Sequence, residues 1–184
     1  MQRLLLNAAA ALLVGAVLAS VNPLSAADQN APPVPPKAAE GPAPEPLPME
    51  ELQKPMKPNE RAAMAPKGTL KNPYTDNKEA EEQGKKLYFA KSCNGCHGGG
   101  GGGGMCPPLT NTVWVYGSDD DTLFRLIALG TDEIKKDGYT RKGTEGVVGP
   151  MPAFGELIDT DQDLWKIIAW IRTTFKGGPE RRNW

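Results

Sequence analysis

The residues best suited to chemistry in this chain form one short run, Cys93-Asn94-Gly95-Cys96-His97. Two cysteines separated by two residues, with a histidine immediately after the second, are the attachment pattern of a c-type haem. In that pattern both thiols become thioethers to the haem, and the histidine becomes the proximal iron ligand. Cys93, Cys96 and His97 are therefore predicted to hold one covalent haem c, with the iron bound to His97.

Two other kinds of site use cysteines at this spacing. A redox dithiol of the thioredoxin type needs a βαβ context, and no alternating strand pattern surrounds the motif. A structural zinc site would draw on a Cys₃His set made of Cys93, Cys96, His97 and Cys106. Because the adjacent side chains of Cys96 and His97 are poorly placed to bind one tetrahedral ion, haem is the favoured cofactor.

The iron of such a haem usually takes a sixth ligand, for which methionines are the first candidates. Met105 follows His97 by only eight residues, so its chain is still on the proximal side of the ring. Met151 lies 54 residues beyond His97, between Pro150 and Pro152, which restrict the backbone there to extended geometry. Met151 is therefore the predicted distal ligand of the iron. The alternative interpretation is that Met151 is an ordinary core residue without a role at the iron.

Three helices are predicted around these residues, and no convincing strand pattern is found. The first begins at about Asn77, with Asp76 in its N-terminal cap, and runs into the first cysteine. The second has Ser118 as its cap and Gly130 as its stop. The third begins at Thr160 and carries an apolar stripe at helical spacing. The predicted fold class is all-α, with about three to four helices around one haem.

The rest of the chain divides into segments of different composition. Residues 1–27 have a basic start, an apolar stretch and a small-residue end, which is the pattern of a secretory signal peptide. An uncleaved membrane anchor is the alternative, although the apolar stretch falls short of the ~20 residues that span a bilayer. Residues 28–70 hold 11 of the 18 prolines and are predicted to be a disordered, extended linker. A haem domain over 71–178 and a tail over 179–184 follow.

The charge balance excludes one large class of partners. The 21 Lys and Arg residues nearly cancel the 22 Asp and Glu residues, giving a net charge of −1. A protein that binds nucleic acid by neutralising phosphates needs a basic excess, so no nucleic-acid partner is expected. Contact with a membrane is expected only through an uncleaved signal peptide, and a cleaved one places the protein in the periplasm.

Three features near the motif have two interpretations each. The seven glycines Gly98 to Gly104 form either a side-chain-free loop that leaves the haem edge open to a partner or slack in a surface loop. Cys106, left over after haem attachment, is either buried against the haem or paired with another molecule. The charged interval 131–148 is either a docking segment for an electron donor or a solvated insertion.

In their order these features resemble the class I c-type cytochromes, over roughly residues 77–176. Gly84 is similar to the glycine of the first helix, although it stands one residue farther from the first cysteine than is usual. Pro107 is similar to the proline of the Pro-x-Leu element, and the resemblance implies that its carbonyl accepts the Nδ1 proton of His97. Met151, within Met-Pro-Ala-Phe, is similar to the distal ligand.

A narrower resemblance is carried by the stretches Met105 to Gly117 and Val147 to Pro152. They resemble the periplasmic cytochromes of methylotrophic bacteria that take electrons from quinoprotein methanol dehydrogenases, especially the lanthanide-dependent type. The resemblance implies a mono-haem electron carrier and not an enzyme, with a downstream cytochrome c or terminal oxidase as acceptor. Two alternatives stay open: a haem enzyme or ligand sensor with an open sixth site, and a permanent cytochrome subunit of a dehydrogenase or oxidase complex.

Overall fold

The structure is a computed structural model that describes residues 44–52, 54–143, 149–178 and 180–183. Within these ranges every regular element is an α-helix, so the all-α prediction is confirmed. The predicted signal peptide, the first part of the predicted linker and the end of the charged interval lie outside the described residues. The helices are α1 (Met49–Leu52), α2 (Pro58–Met64), α3 (Lys78–Ala90), α4 (Cys93–His97), α5 (Asp120–Lys136) and α6 (Asp161–Thr174).

The crossing of α3 with α6 forms the centre of the fold. The two helices approach so closely that a Cβ atom at Gly84 would overlap the backbone carbonyl of Lys166. The apolar stripe predicted for the third helix is the buried face of α6, and Leu164 and Ile168 are fully buried. Thr160 caps α6 as predicted, because its side chain accepts the N–H of Asp163.

The other two predicted caps are each displaced by one residue. Asn77, and not Asp76, caps α3 by accepting the N–H of Ala80 at 3.0 Å. Asp119, and not Ser118, caps α5 by accepting the N–H of Thr122 at 3.0 Å. Asn and Asp are as good at an N-cap as Ser, so composition alone does not fix the exact residue.

Helix α5 does not stop at Gly130, as the sequence predicted. Gly130 has the non-helical angles φ 80° and ψ 167°, and the chain then resumes a helix that ends at Lys136. A Cβ atom at Gly130 would lie 2.8 Å from the backbone nitrogen of Ala153, so a residue without a side chain is needed there. The glycine is therefore a break inside the helix and not its end.

The predicted disordered linker over 28–70 is wrong for residues 44–70. Leu52 and Leu70 are fully buried in the core, and Ala62 is 2% exposed. Proline is tolerated in the first turn of a helix, and Pro58 is the first residue of α2. A segment that its proline content marked as disordered thus contributes Leu52, Ala62 and Leu70 to the core.

Two buried arginines join this segment to the helices. Arg61 in α2 donates its Nε proton to Asp161 at the start of α6, at 2.7 Å, and both side chains are almost fully buried. Arg125 in α5 donates to the carbonyls of Ala62 and Ala65 at 2.6 and 2.7 Å. The folded domain therefore includes residues 44–70 and does not begin at residue 71.

The end of the chain also belongs to the folded part, contrary to the predicted tail over 179–184. Arg181 and Ser118 exchange two hydrogen bonds of 2.9 Å. The side-chain amide of Asn183 donates to the carbonyls of Tyr116 and Thr140, and Asn183 is 8% exposed. Residues 181–183 thus cover the loop after the motif.

The described part of the charged interval, 131–143, packs against the same region. Ile134 and Tyr139 are buried together with Val115 and Tyr116 in a second small apolar cluster. The Tyr139 hydroxyl donates to Asp121 at 3.3 Å, and burial raises the pKa of Tyr139. The charged side chains of this interval point outward from a folded base, so it is not a loosely attached insertion.

No helix of the described residues is long and apolar enough to cross a bilayer.

Candidate haem-binding site

The haem-attachment motif forms its own short helix, α4, whose five residues run from Cys93 to His97. Ser92 separates it from α3 by adopting the left-handed angles φ 61° and ψ 19°. Residues three and four apart share one side of a helix. Cys93, Cys96 and His97 have this spacing, so the turn brings both thiols and the imidazole to one side.

The imidazole of His97 is oriented by a single backbone contact. Its Nδ1 lies 2.9 Å from the carbonyl oxygen of Pro107, which can only accept a hydrogen bond, so the Nδ1–H is the donor. Burial lowers the pKa of His97, and the hydrogen bond to Pro107 opposes part of that shift. A neutral ring that donates from Nδ1 has its Nε2 lone pair available for a metal.

An apolar cavity opens beside this imidazole. It holds about 890 Å³ of empty space, part of which is open to solvent. Its wall brings Cys93, His97 and Pro107 together with Met151, which comes from the segment between α5 and α6. Ligand sites in proteins typically have apolar walls with a few polar groups.

The residues present fit a covalent haem. The cavity wall supplies an imidazole, a thioether and the thiols of Cys93 and Cys106, and Leu126, Ile127 and Ile171 supply apolar surface for a large flat ring. Cys96 is half-buried and stands next to the wall residue His97. Among the described residues, no group of three or more His, Cys, Asp or Glu side chains is arranged to hold a metal ion. The zinc alternative therefore gains no support from this geometry.

The two candidate methionines are in different environments. Met151 lines the cavity and packs against the main core. Met105 is 80% exposed. The exposed side chain of Met105 makes it a surface residue, whereas Met151 and His97 line the same cavity.

The surroundings of Cys93 and Cys106 favour the protonated form of each thiol. Burial raises the pKa of Cys93 to about 11. The Cys106 thiol lies on the cavity wall against Cys96, and burial raises its pKa as well. Because the thiolate is the reactive form, these thiols are weak nucleophiles at neutral pH. Cys106 is thus a half-buried free thiol of the cavity wall.

The seven glycines form an ordered loop and not surface slack. Gly103 donates to the carbonyl of His97 at 2.8 Å, and Leu109 donates to that of Gly101 at 2.7 Å. The buried Tyr88 hydroxyl donates to the carbonyl of Gly98 at 2.6 Å. A Cβ atom at Gly104 would lie 2.8 Å from the Cys96 carbonyl. The absence of side chains thus lets the loop fold directly onto the motif.

One residue of the cavity wall was missed by sequence reasoning. Thr131 is 4% exposed and lines the cavity, and its hydroxyl accepts the backbone N–H of Met151 at 2.8 Å. Its only signal in the sequence is its position after Gly130, which the pattern assigned to the end of a helix. A contact between residues 20 positions apart leaves no local pattern.

Comparison with known proteins supports the haem assignment. Residues 81–175 match the family model for cytochrome c, which is just over half of the 184 residues. One curated relative is cytochrome c-L of Methylorubrum extorquens, with 33% identity over 118 residues. The alignment covers 63% of this chain and 51% of the relative, so the chain spans about half the length of the relative.

Two solved structures are similar over part of the chain. Cytochrome cL of Methylophaga aminisulfidivorans is 22% identical with a TM-score of 0.43, and the match covers 63% of this chain and 74% of that one. Cytochrome cL of Hyphomicrobium denitrificans is 29% identical with a TM-score of 0.40, and the match covers 54% and 50% respectively.

Proposed function

Because this chain belongs to the cytochrome c family, we propose that it is a mono-haem electron carrier of the periplasm and not an enzyme. It accepts single electrons from a quinoprotein alcohol dehydrogenase, with methanol dehydrogenase as the expected donor. It passes them to another cytochrome c or to a terminal oxidase. The similarity to cytochrome c-L and the signal-peptide pattern over 1–27 support the donor and the compartment.

Each site residue has a role in this proposal. Cys93 and Cys96 would anchor the haem, and His97 and Met151 would be the protein ligands of its iron. The haem supplies an iron that changes between the ferrous and ferric states. The carbonyl of Pro107 holds the imidazole of His97 in one orientation and increases its basicity. A thioether ligand in an apolar cavity favours the ferrous state, which raises the reduction potential and suits an electron acceptor.

The observation that carries this proposal is the composition of one cavity wall. His97 and Met151 are 54 residues apart in sequence, yet both line the same apolar space beside Cys93. A carrier needs a buried iron with two fixed protein ligands, because little rearrangement then accompanies each electron. An enzyme or sensor needs an open coordination position, which Met151 would block.

The motif and Met151 lie in two stretches of sequence without Asp, Glu, Lys or Arg. No Asp, Glu, Lys or Arg occurs from Ser92 to Ser118, and none occurs from Gly149 to Gly155. These two stretches supply much of the cavity wall, and Met105, the neighbour of the wall residue Cys106, is exposed. We therefore expect the electron donor to dock here through apolar contacts and not through long-range charge attraction.

The experiment is stopped-flow reduction of the ferric protein by a quinoprotein methanol dehydrogenase. The second-order rate constant should change less than about threefold with ionic strength, whereas charge-steered association changes roughly 10- to 1,000-fold. Met105→Ser should lower the rate about fivefold, because it removes about 1 kcal/mol of apolar contact from the interface.

Met64→Ser is the matched control, since Met64 is also exposed, at 69%, but lies at the end of α2. It should leave the rate unchanged. Equal losses in the two variants would contradict docking at Met105. If no quinoprotein dehydrogenase reduces the wild-type protein, the proposed donor is wrong.

A further inference from the structure

The break in α5 at Gly130 produces a specific set of contacts with the segment that carries Met151. The carbonyls of Ile127 and Ala128, in the last turn before the break, accept the N–H groups of Phe154 and Gly155 at 2.9 Å each. In an uninterrupted helix such carbonyls accept bonds from residues four positions later. The break at Gly130 therefore makes backbone acceptors of α5 available to the segment 151–155.

Thr131, directly after the break, forms hydrogen bonds with both the N–H and the carbonyl of Met151. Its hydroxyl oxygen accepts the Met151 N–H at 2.8 Å, and its own N–H donates to the Met151 carbonyl at 2.9 Å. Pro150 and Pro152 have no N–H, so the N–H of Met151 is the one backbone donor in this tripeptide. Thr131 thus determines where the backbone of Met151 is held.

The surroundings of Thr131 leave no simple replacement for this contact. Thr131 is 4% exposed and lines the same cavity as Met151 and His97. An N–H that loses its partner in such a place costs about 1–3 kcal/mol. This cost disfavours a position of Met151 shifted away from Thr131; without the threonine hydroxyl, such a position would compete with the observed one.

We propose that Thr131 is a positioning residue. By its two hydrogen bonds to the backbone of Met151, Thr131 would keep the thioether of Met151 within bonding distance of the haem iron. The inference rests on the proposed role of Met151 as distal ligand. Thr131 acts only through the backbone of Met151, and its effect is to keep the sulfur-bound form of the iron populated. Gly130 contributes by leaving space for the carbonyl of Met151, which a Cβ atom would approach to 2.9 Å.

The test compares the holoprotein variants Thr131→Val, Thr131→Ser and Met151→Ala. Valine has nearly the shape of threonine but removes the hydroxyl acceptor, whereas serine retains it. Two quantities are measured: the weak long-wavelength absorption band of ferric haem with a sulfur ligand, and the rate at which ferrous protein binds carbon monoxide. Carbon monoxide must displace the methionine, so the rate reports how firmly the methionine is held.

We expect Thr131→Val to raise the carbon monoxide binding rate roughly tenfold and to weaken the ferric band, in line with one unsatisfied N–H. Thr131→Ser should match the wild-type protein in both measurements, because serine keeps the hydroxyl. A Val variant with lower thermal stability but an unchanged band and rate would show a merely structural role and overturn the proposal. If Thr131→Val yields no holoprotein, Thr131→Ala against Thr131→Ser makes the same comparison.

Met151→Ala separates this inference from the function on which it rests. It should abolish the sulfur band and give rapid carbon monoxide binding. If Met151→Ala keeps the band, the ligand assignment itself is wrong. If Met151→Ala loses the band while Thr131→Val matches wild type in both measurements, only the role of Thr131 is refuted.

Discussion

Arg61→Ala should lower the free energy of unfolding by about 3 kcal/mol, because removing one partner of a buried ion pair leaves an unpaired charge in the core. The exposed fractions of Arg61 and Asp161 are 4% and 0%. Asp161 would keep the N–H groups of Met56 and Gln162, at 3.2 and 3.0 Å, as partners. These bonds, and the position of Asp161 at the start of α6, limit the loss to the lower part of the range for buried pairs.

The measurement is equilibrium unfolding of the holoprotein in guanidinium chloride, followed by circular dichroism. Lys78→Ala is the control, since Lys78 pairs with Glu81 at 2.8 Å but is 84% exposed. Exposed pairs contribute about 0–1 kcal/mol, so the control should change little. If Arg61→Ala costs no more than Lys78→Ala, residues 44–70 do not belong to the core.

Gly84→Ala should destabilise the protein by about 3 kcal/mol, because overpacking at a tight contact typically costs 1–3 kcal/mol or more. A Cβ atom there would overlap the carbonyl of Lys166 in the backbone of α6, which no rotamer change relieves. Helix propensity alone predicts the opposite sign, since alanine is favoured over glycine by about 1 kcal/mol inside a helix. The sign of the change therefore separates the two effects.

Thermal unfolding of the holoprotein measures this effect, with the yield of haem-loaded protein as a second readout. Gly178→Ala is the matched control, because a Cβ atom at Gly178 would have no atom within 4 Å. It should melt like wild type. A stabilised Gly84→Ala variant would mean that α3 and α6 do not cross at this residue.

Sequence reasoning was most successful where the signal is local. The five-residue motif, the cap at Thr160 and the buried stripe of α6 all depend on residues within one or two helical turns. Neighbouring side chains determine such features, so their spacing is visible in the sequence. The all-α class follows from the same local patterns.

The features that were missed depend on contacts between distant residues. Arg61 and Asp161 are 100 positions apart. The linker prediction failed because proline content, a local property, does not reveal such a distant ion pair. The need for a glycine at position 130 arises only because the backbone of residues 151–153 packs against it. Local propensity identifies a glycine as a break, but tertiary packing decides whether the helix resumes.

The glycine run illustrates a pattern with two local interpretations. A polyglycine stretch has few preferred conformations of its own, so its order depends on what surrounds it. Here the partners are the carbonyl of His97, the hydroxyl of Tyr88 and the N–H of Leu109. The result is a closed loop beside the proposed docking surface around Met105.

The proposed function requires one covalent haem held between His97 and Met151. The visible absorption spectrum of the purified protein, oxidised and reduced, tests this requirement when it is compared with the spectra of Met151→Ala and Met105→Ala. We expect a c-type haem whose ferric form has the long-wavelength sulfur-ligand band in wild type and Met105→Ala, and loses it in Met151→Ala. If the wild-type protein lacks that band and its ferrous form binds carbon monoxide at once, Met151 is not the distal ligand and the carrier proposal is wrong.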